Sequence, residues 1–322
     1  MQSFIVSILL VVSFWFLLSS QSHDTGYVHD SPTPTIHEIP DLVENNPEPE
    51  QLELPGSSPP PAPPAVPPPP PSIIDQKKIQ ELLKKITEPK KELSQDHIYQ
   101  KGLSSVVNIL CYKNKNEIVM ATGSIISSDG LILSVAHMAD GLNKNNLSCS
   151  VRRGSPANSF ATAKLVFIPE AYGKAQTDGE RAFFDISLWR IEGTSGNFTP
   201  LEIDYESLSH ENERFLTLSY AAEFLSGEGV LHDLHLLFSS TESVSSESSY
   251  IKSRSSLSSQ HGSSGGILID PYTGKIRSMV FGVSNTEQVS ERFLFSLTPA
   301  SINKALLEET GLSLKEYIAE GR

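Results

Sequence analysis

The chain has 322 residues, a formal net charge of −13 and two cysteines. That length admits one or two globular domains with additional segments. The acidic balance excludes a nucleic-acid-binding surface, which needs clustered positive charge.

Composition divides the chain. Of 22 prolines, 16 precede residue 72, and no Lys or Arg precedes Lys77 whereas nine Asp and Glu do. Residues 1–22 read as a signal peptide or membrane anchor. Phe4 to Leu18 is apolar except for Ser7 and Ser13. A bilayer span takes about 20 apolar residues and a signal core about 7–15, so the run lies between the two. Ser20 and Ser22 have the spacing of a cleavage site, whereas a basic n-region is missing. With no positive charge downstream to hold it inside, the bulk of the chain is expected outside the cytoplasm. It would be secreted, periplasmic or membrane-anchored, the last through residues 4–20 if the leader stays. Disulfides can form in such a compartment.

Residues 23–74 form an acidic, proline-rich linker. They have too little apolar surface to offset chain entropy, and the run SSPPPAPPAVPPPPPS favours extended polyproline geometry. Residues 75–101 read as an amphipathic helical segment docking on the domain C-terminal to it. Ile79, Leu82, Leu83 and Ile86 recur at helical spacing, and Pro89 interrupts the pattern.

Residues 102–322 change character. SVVNILCYK, EIVMATGSIISS, GLILSVAHMA, LSCSVRR, ATAKLVFIP and FFDISLWRIEG are short β-rich runs. RFLTLSY, VLHDLHLLFSS, GGILID, KIRSMVFGVSN and RFLFSLTP continue them. Many short strands without crossover helices predict an antiparallel sandwich or barrel. A helix closes the chain, with Thr298 as cap, Pro299 in its first turn and Gly311 as its stop. Ser313 and Glu316, spaced as a capping box, start another. His232 and His235 fall in a predicted strand, where positions three apart point to opposite faces, so they make no metal pair.

Chemistry concentrates in SSQHGSSGGILID. GSSGG is either the nucleophile turn of a serine hydrolase or part of the serine-rich stretch 239–264. If it is a nucleophile turn, its order of partners is restricted. An α/β-hydrolase places its histidine after the serine, and no histidine follows His261. The subtilisin order belongs to an α/β fold, which a strand-only pattern opposes. The order His, Asp, Ser remains. His137 ends an apolar strand, and Asp185 lies among Phe183, Phe184, Ile186, Leu188 and Trp189, where a carboxylate needs a partner. Taken singly, His137 is equally a packed strand-end residue and Asp185 an edge or bulge residue.

These stretches resemble the trypsin-like serine peptidases of the chymotrypsin fold, closest to the HtrA-like branch. SVVNI at 105–109, ATGSIISSDGLILSVAHMADG at 121–141, FFDISLWRI, GSSGGILID and MVFGVSN carry the likeness. The resemblance implies an all-β chain of two six-stranded antiparallel Greek-key barrels with a C-terminal helix. It implies a serine endopeptidase with Ser264 as nucleophile, His137 as base and then acid, and Asp185 orienting the imidazole. The backbone N–H groups of Gly262 and Ser264 would form the oxyanion hole. Protein or peptide substrates are implied, with neither cofactor nor metal. Ser258 would floor the primary pocket and Val280, Phe281, Gly282 and Val283 would wall it, favouring uncharged side chains of modest size. Cys111 and Cys149 would lie on neighbouring strands of the first barrel, within reach of a disulfide.

Two departures from the family pattern matter. Ser263 stands where many relatives carry an Asp that pairs with a freed N-terminus, so activation by that pairing is not expected. The residues after Thr298 are too few for a PDZ domain. The alternative reading is a catalytically inactive trypsin-like fold acting as a protein-binding module, since fold does not dictate function.

Overall fold

In the computed structural model the described residues are 78–80 and 90–321, apart from 116, 194, 195, 256, 285 and 287. The leader, the proline-rich linker and most of the apolar repeat Ile79, Leu82, Leu83 and Ile86 therefore lie outside the described residues. Of the segment 75–101, residues 78–80 are seen as a helical turn with Ile79 half exposed, and residues 90–101 are seen leading into the barrels. No helix among the described residues is long and apolar enough to cross a membrane.

A helix whose end the residue pattern placed too early leads into the barrels. α1 (Gln95–Ser105) runs past residue 101, with Ser94 accepting the His97 N–H at its start. It buries Ile98 and Gly102. A Cβ at Gly102 would meet the end of the Leu218 side chain at 2.7 Å, so the helix lies close against the second barrel there. Arg214 pairs with Glu92 at 2.8 Å, and the Leu93 N–H donates to the Pro271 carbonyl. The segment thus straps the second barrel before the chain enters the first.

The first barrel comprises β1 (Val106–Asn114), β2 (Glu117–Ile125), β3 (Leu131–Ser134), β4 (Ser148–Arg153), β5 (Asn158–Phe167) and β6 (Ser187–Glu192). It closes in the order β1-β2-β3-β6-β5-β4, every pairing antiparallel. Leu110 of β1 pairs with Ser150 of β4, so Cys111 and Cys149 face each other. They are joined as a disulfide with Cα atoms 4.7 Å apart. Short helices α2 (Glu170–Lys174) and α3 (Asp178–Ala182) fill the connection from β5 to β6; neither was visible in the residue pattern.

The second barrel comprises β7 (Arg214–Ser219), β8 (Leu237–Ser246), β9 (Tyr250–Arg254), β10 (Ile267–Ile269), β11 (Ile276–Val283) and β12 (Phe293–Leu297). It closes in the order β10-β11-β12-β9-β8-β7. The fold is chymotrypsin-like, as the resemblance implied. Two local readings are corrected. VLHDLHLLFSS is not one strand: its first residues end α4 (Gly227–His232), and β8 begins only at Leu237. The first part of the serine-rich stretch is sheet, because β8 and β9 run through it. The buried positions of β8 are Ser239, Thr241 and Ser243, so its period-two signal is polar on both faces, whereas β9 buries Ile251 and Ser253. Inside, Ser239 Oγ lies 2.8 Å from Ser255 Oγ and Thr217 bonds Thr241, so these buried hydroxyls partner one another.

α5 (Pro299–Thr310) and α6 (Leu314–Ala319) have the predicted caps. Thr298 accepts the Ser301 N–H, Gly311 takes the left-handed conformation at φ 72°, and Ser313 with Glu316 closes a capping box. α6 returns to the first barrel, where Tyr317 packs on Phe167.

Candidate active site

β3 is buried along its whole length and delivers the chain into a 3₁₀ turn, His137–Ala139. Asp185 is not in a strand, contrary to the sequence-based expectation. It follows α3 in a tight turn, where its N–H donates to the Ala182 carbonyl, and β6 begins only at Ser187. The two residues meet. Asp185 Oδ2 lies 2.6 Å from His137 Nδ1, and Oδ1 accepts the backbone N–H groups of Ala136 at 2.8 Å and His137 at 2.9 Å. Asp185 is 1% exposed, so these bonds replace its hydration. A carboxylate only accepts, so Nδ1 carries the imidazole proton. Ser187 Oγ ties the two segments again by donating to the Val135 carbonyl, and Trp189 Nε1 donates to Ser187 Oγ.

Tyr172 of α2 is a neighbour that the sequence did not flag. Its hydroxyl donates to Asp140 Oδ2 at 2.8 Å, and the Arg181 guanidinium lies over its ring. Burial, then the charges of Asp185 and Asp140, push the phenol far above its ordinary range, so it remains a donor. α2 and α3 are too short to leave a periodic signal, and Tyr172 could not have been placed here without them.

Ser264 belongs to the second barrel but is docked on the first. Its carbonyl accepts the Thr122 N–H of β2 at 2.8 Å, and the Gly265 N–H donates to Val280 at 2.7 Å. A Cβ on Gly265, at φ +80°, would lie 1.8 Å from the Thr122 carbonyl oxygen and 2.9 Å from Ser134 Oγ. Only glycine permits that approach. Ser134 itself donates to the Thr122 carbonyl at 2.6 Å and stands three residues before His137. The turn bearing Ser264 is therefore held against the strand that delivers the imidazole. Ser264 is 5% exposed.

Gly262 has φ +89°, and its would-be Cβ faces the Ala222 backbone nitrogen at 3.1 Å. Neither its N–H nor that of Ser264 donates to any group among the described residues. Ser258 is fully buried, with its Oγ 2.8 Å from Ser239 Oγ. Val280 and Val283 lie in a compact core with Phe215, Ile251, Leu268 and Leu294, and Phe281 packs on Phe295. Their side chains are thus core, and Gly282 is the residue of this run without one to bury.

Two closed barrels, with an Asp–His pair on one and a glycine-framed serine turn of the other docked on its β2, make up the chymotrypsin-like architecture. Residues 121–279, from β2 to β11, match the trypsin-like peptidase domain family. Over that span the chain is a trypsin-like serine peptidase domain. Among solved structures, the chain is similar to the Rv3671c protease. The inactive form is 18% identical with a TM-score of 0.46, covering 69% of this chain and 99% of that one. The active form, from M. tuberculosis, is 18% identical with a TM-score of 0.47, covering 69% and 89%. No curated protein matches the chain in sequence.

Proposed function

We propose that the protein cleaves peptide bonds through an acyl-enzyme on Ser264. His137 Nε2 takes the Ser264 hydroxyl proton as Oγ attacks the scissile carbonyl, and Asp185 stabilises the imidazolium that forms. The proton passes to the leaving amine, and water then releases the acyl group by the same route reversed. The developing oxyanion takes hydrogen bonds from the Gly262 and Ser264 N–H groups. The observation that carries this reading is the Asp185 carboxylate, which spends both oxygens on the His137 segment.

Ser258 at the pocket floor offers no counter-charge to Arg or Lys, which supports a preference for uncharged side chains of modest size. The apolar leader and the Cys111–Cys149 bond support a location outside the cytoplasm, with a membrane tether if residues 4–20 are retained. N-terminal sequencing of exported protein distinguishes a cleaved leader from a retained one.

A fluorophosphonate probe tests the chemistry. Wild type is expected to label, and Ser264→Ala and His137→Ala are not. Folded wild type that stays unlabelled would refute the triad and favour a binding module.

A further inference from the structure

Ser263 occupies the position where an activating Asp would sit, yet it carries no charge. It is buried, and Ser219 Oγ is 3.4 Å from its Oγ. The charged groups touching the turn come instead from elsewhere in the second barrel. Glu223, just after β7, accepts the His261 N–H at 2.9 Å on Oε2. The same oxygen takes Arg292 at 2.6 Å. Arg292, just before β12, also donates to the carbonyls of Thr286 at 2.6 Å and Ser259 at 3.4 Å. Beside them the Ala222 N–H donates to the His261 carbonyl at 3.3 Å.

In a trans peptide the C=O and the following N–H point in opposite directions. The Ala222 bond draws the His261 carbonyl one way and so turns the Gly262 N–H the other way. Glu223 holds the other side of His261, and Arg292 holds both Glu223 and the chain two residues earlier. A flip of the 261–262 peptide would break the Ala222 bond and swing the Gly262 N–H back. Arg292 and Glu223 are 7% and 18% exposed, so water competes weakly for the pair. Burial alone would raise the Glu223 carboxyl, but Arg292 and the His261 N–H hold it below its ordinary value, keeping it charged.

We infer that the Glu223–Arg292 pair is a built-in lock that fixes the His261–Gly262 peptide in the oxyanion-binding orientation, replacing a switch based on a freed N-terminus. These are positioning residues, and the inference rests on the acyl-transfer reading above.

The test uses the full chain as wild type, Glu223→Ala, Glu223→Gln and Arg292→Ala. Hydrogen exchange over 259–266 is read beside fluorophosphonate labelling rates and the split between kcat and KM. In Glu223→Ala the turn should exchange at least about tenfold faster while β2 and β6 stay protected. Labelling and kcat should fall by about tenfold or more, with KM little changed, since a lost oxyanion donor costs about 10²–10³ in kcat. Glu223→Gln keeps an acceptor for the His261 N–H and should fall between, and it serves if the alanine variant fails to fold. Folded Glu223→Ala or Glu223→Gln with wild-type exchange and labelling overturns the lock. If wild type itself does not label, the acyl-transfer reading fails, while turn exchange still decides whether the pair holds the peptide.

Discussion

Asp185→Asn is the substitution that most directly tests the site. The side chain keeps its shape, and its remaining oxygen can still accept the Ala136 and His137 N–H groups now bonded at 2.8 and 2.9 Å. What changes is the atom facing His137 Nδ1 at 2.6 Å, which becomes an amide nitrogen. An amide N–H donates, so Nδ1 must accept, and the imidazole proton moves to Nε2. The base is then protonated where it should receive the serine proton. Holding the wrong tautomer in such a triad lowers kcat by about 10⁴. At about 1.36 kcal/mol per factor of ten this is roughly 5.5 kcal/mol of lost transition-state stabilisation.

The fold should tolerate the change. Exchanging hydrogen bonds to a charged acceptor for neutral ones costs on the order of 1 kcal/mol each. Asp185→Ala should be much worse for stability, because it strands three buried donors at about 1–3 kcal/mol apiece. The assay pairs fluorophosphonate labelling rate with urea denaturation. Asp185→Asn should label about 10⁴-fold more slowly while keeping a cooperative transition. A folded Asp185→Asn that labels within tenfold of wild type would refute the assigned role of the carboxylate.

Three other perturbations test the same geometry. Replacing both Cys111 and Cys149 by Ser opens a loop of sequence separation 38, which by chain entropy should lower unfolding free energy by about 4 kcal/mol, read by urea denaturation without reductant. A loss below about 1 kcal/mol would mean the bond contributes no constraint. Gly265→Ala places a Cβ 1.8 Å from the Thr122 carbonyl oxygen and should break the docking of the Ser264 turn on β2. Exchange of the Thr122 amide and loss of labelling report it, and unchanged labelling would contradict the close approach. The depressed Glu223 carboxyl contributes stability that is complete above its ordinary value of 4.5 and is lost as pH falls toward the folded value. Glu223→Gln should therefore flatten that part of the acid limb in pH-dependent denaturation, and an unchanged limb would argue against the ion pair.

Much of the architecture was legible because several strands are short, largely buried apolar runs bounded by turn residues. β2, β3 and β6 announce themselves in this way, and so do the caps of α5 and α6, whose signals are single residues with fixed chemistry. β8 and β9 were hidden for the opposite reason. The buried positions of β8 are Ser239, Thr241 and Ser243, and β9 buries only Ile251 and Ser253, so a serine-rich stretch forms ladder without an apolar face to announce it. Asp185 was found by its cost, since a carboxylate among aromatic and aliphatic residues must have a partner. Its place in a turn, rather than in the strand it adjoins, depends on α3, a helix too short to leave a period. The site also shows what a motif cannot contain. GSSGG marks the proposed nucleophile, but the groups that bond the residue before it, Ala222 and Glu223, and Arg292 behind them, lie about 30 to 40 positions away in either direction. Partners at such distances obey no spacing rule. They become recognisable only when barrel closure brings the ends of β7 and β12 to the same turn, and the proposed chemistry would rest on that closure as much as on His137, Asp185 and Ser264 themselves.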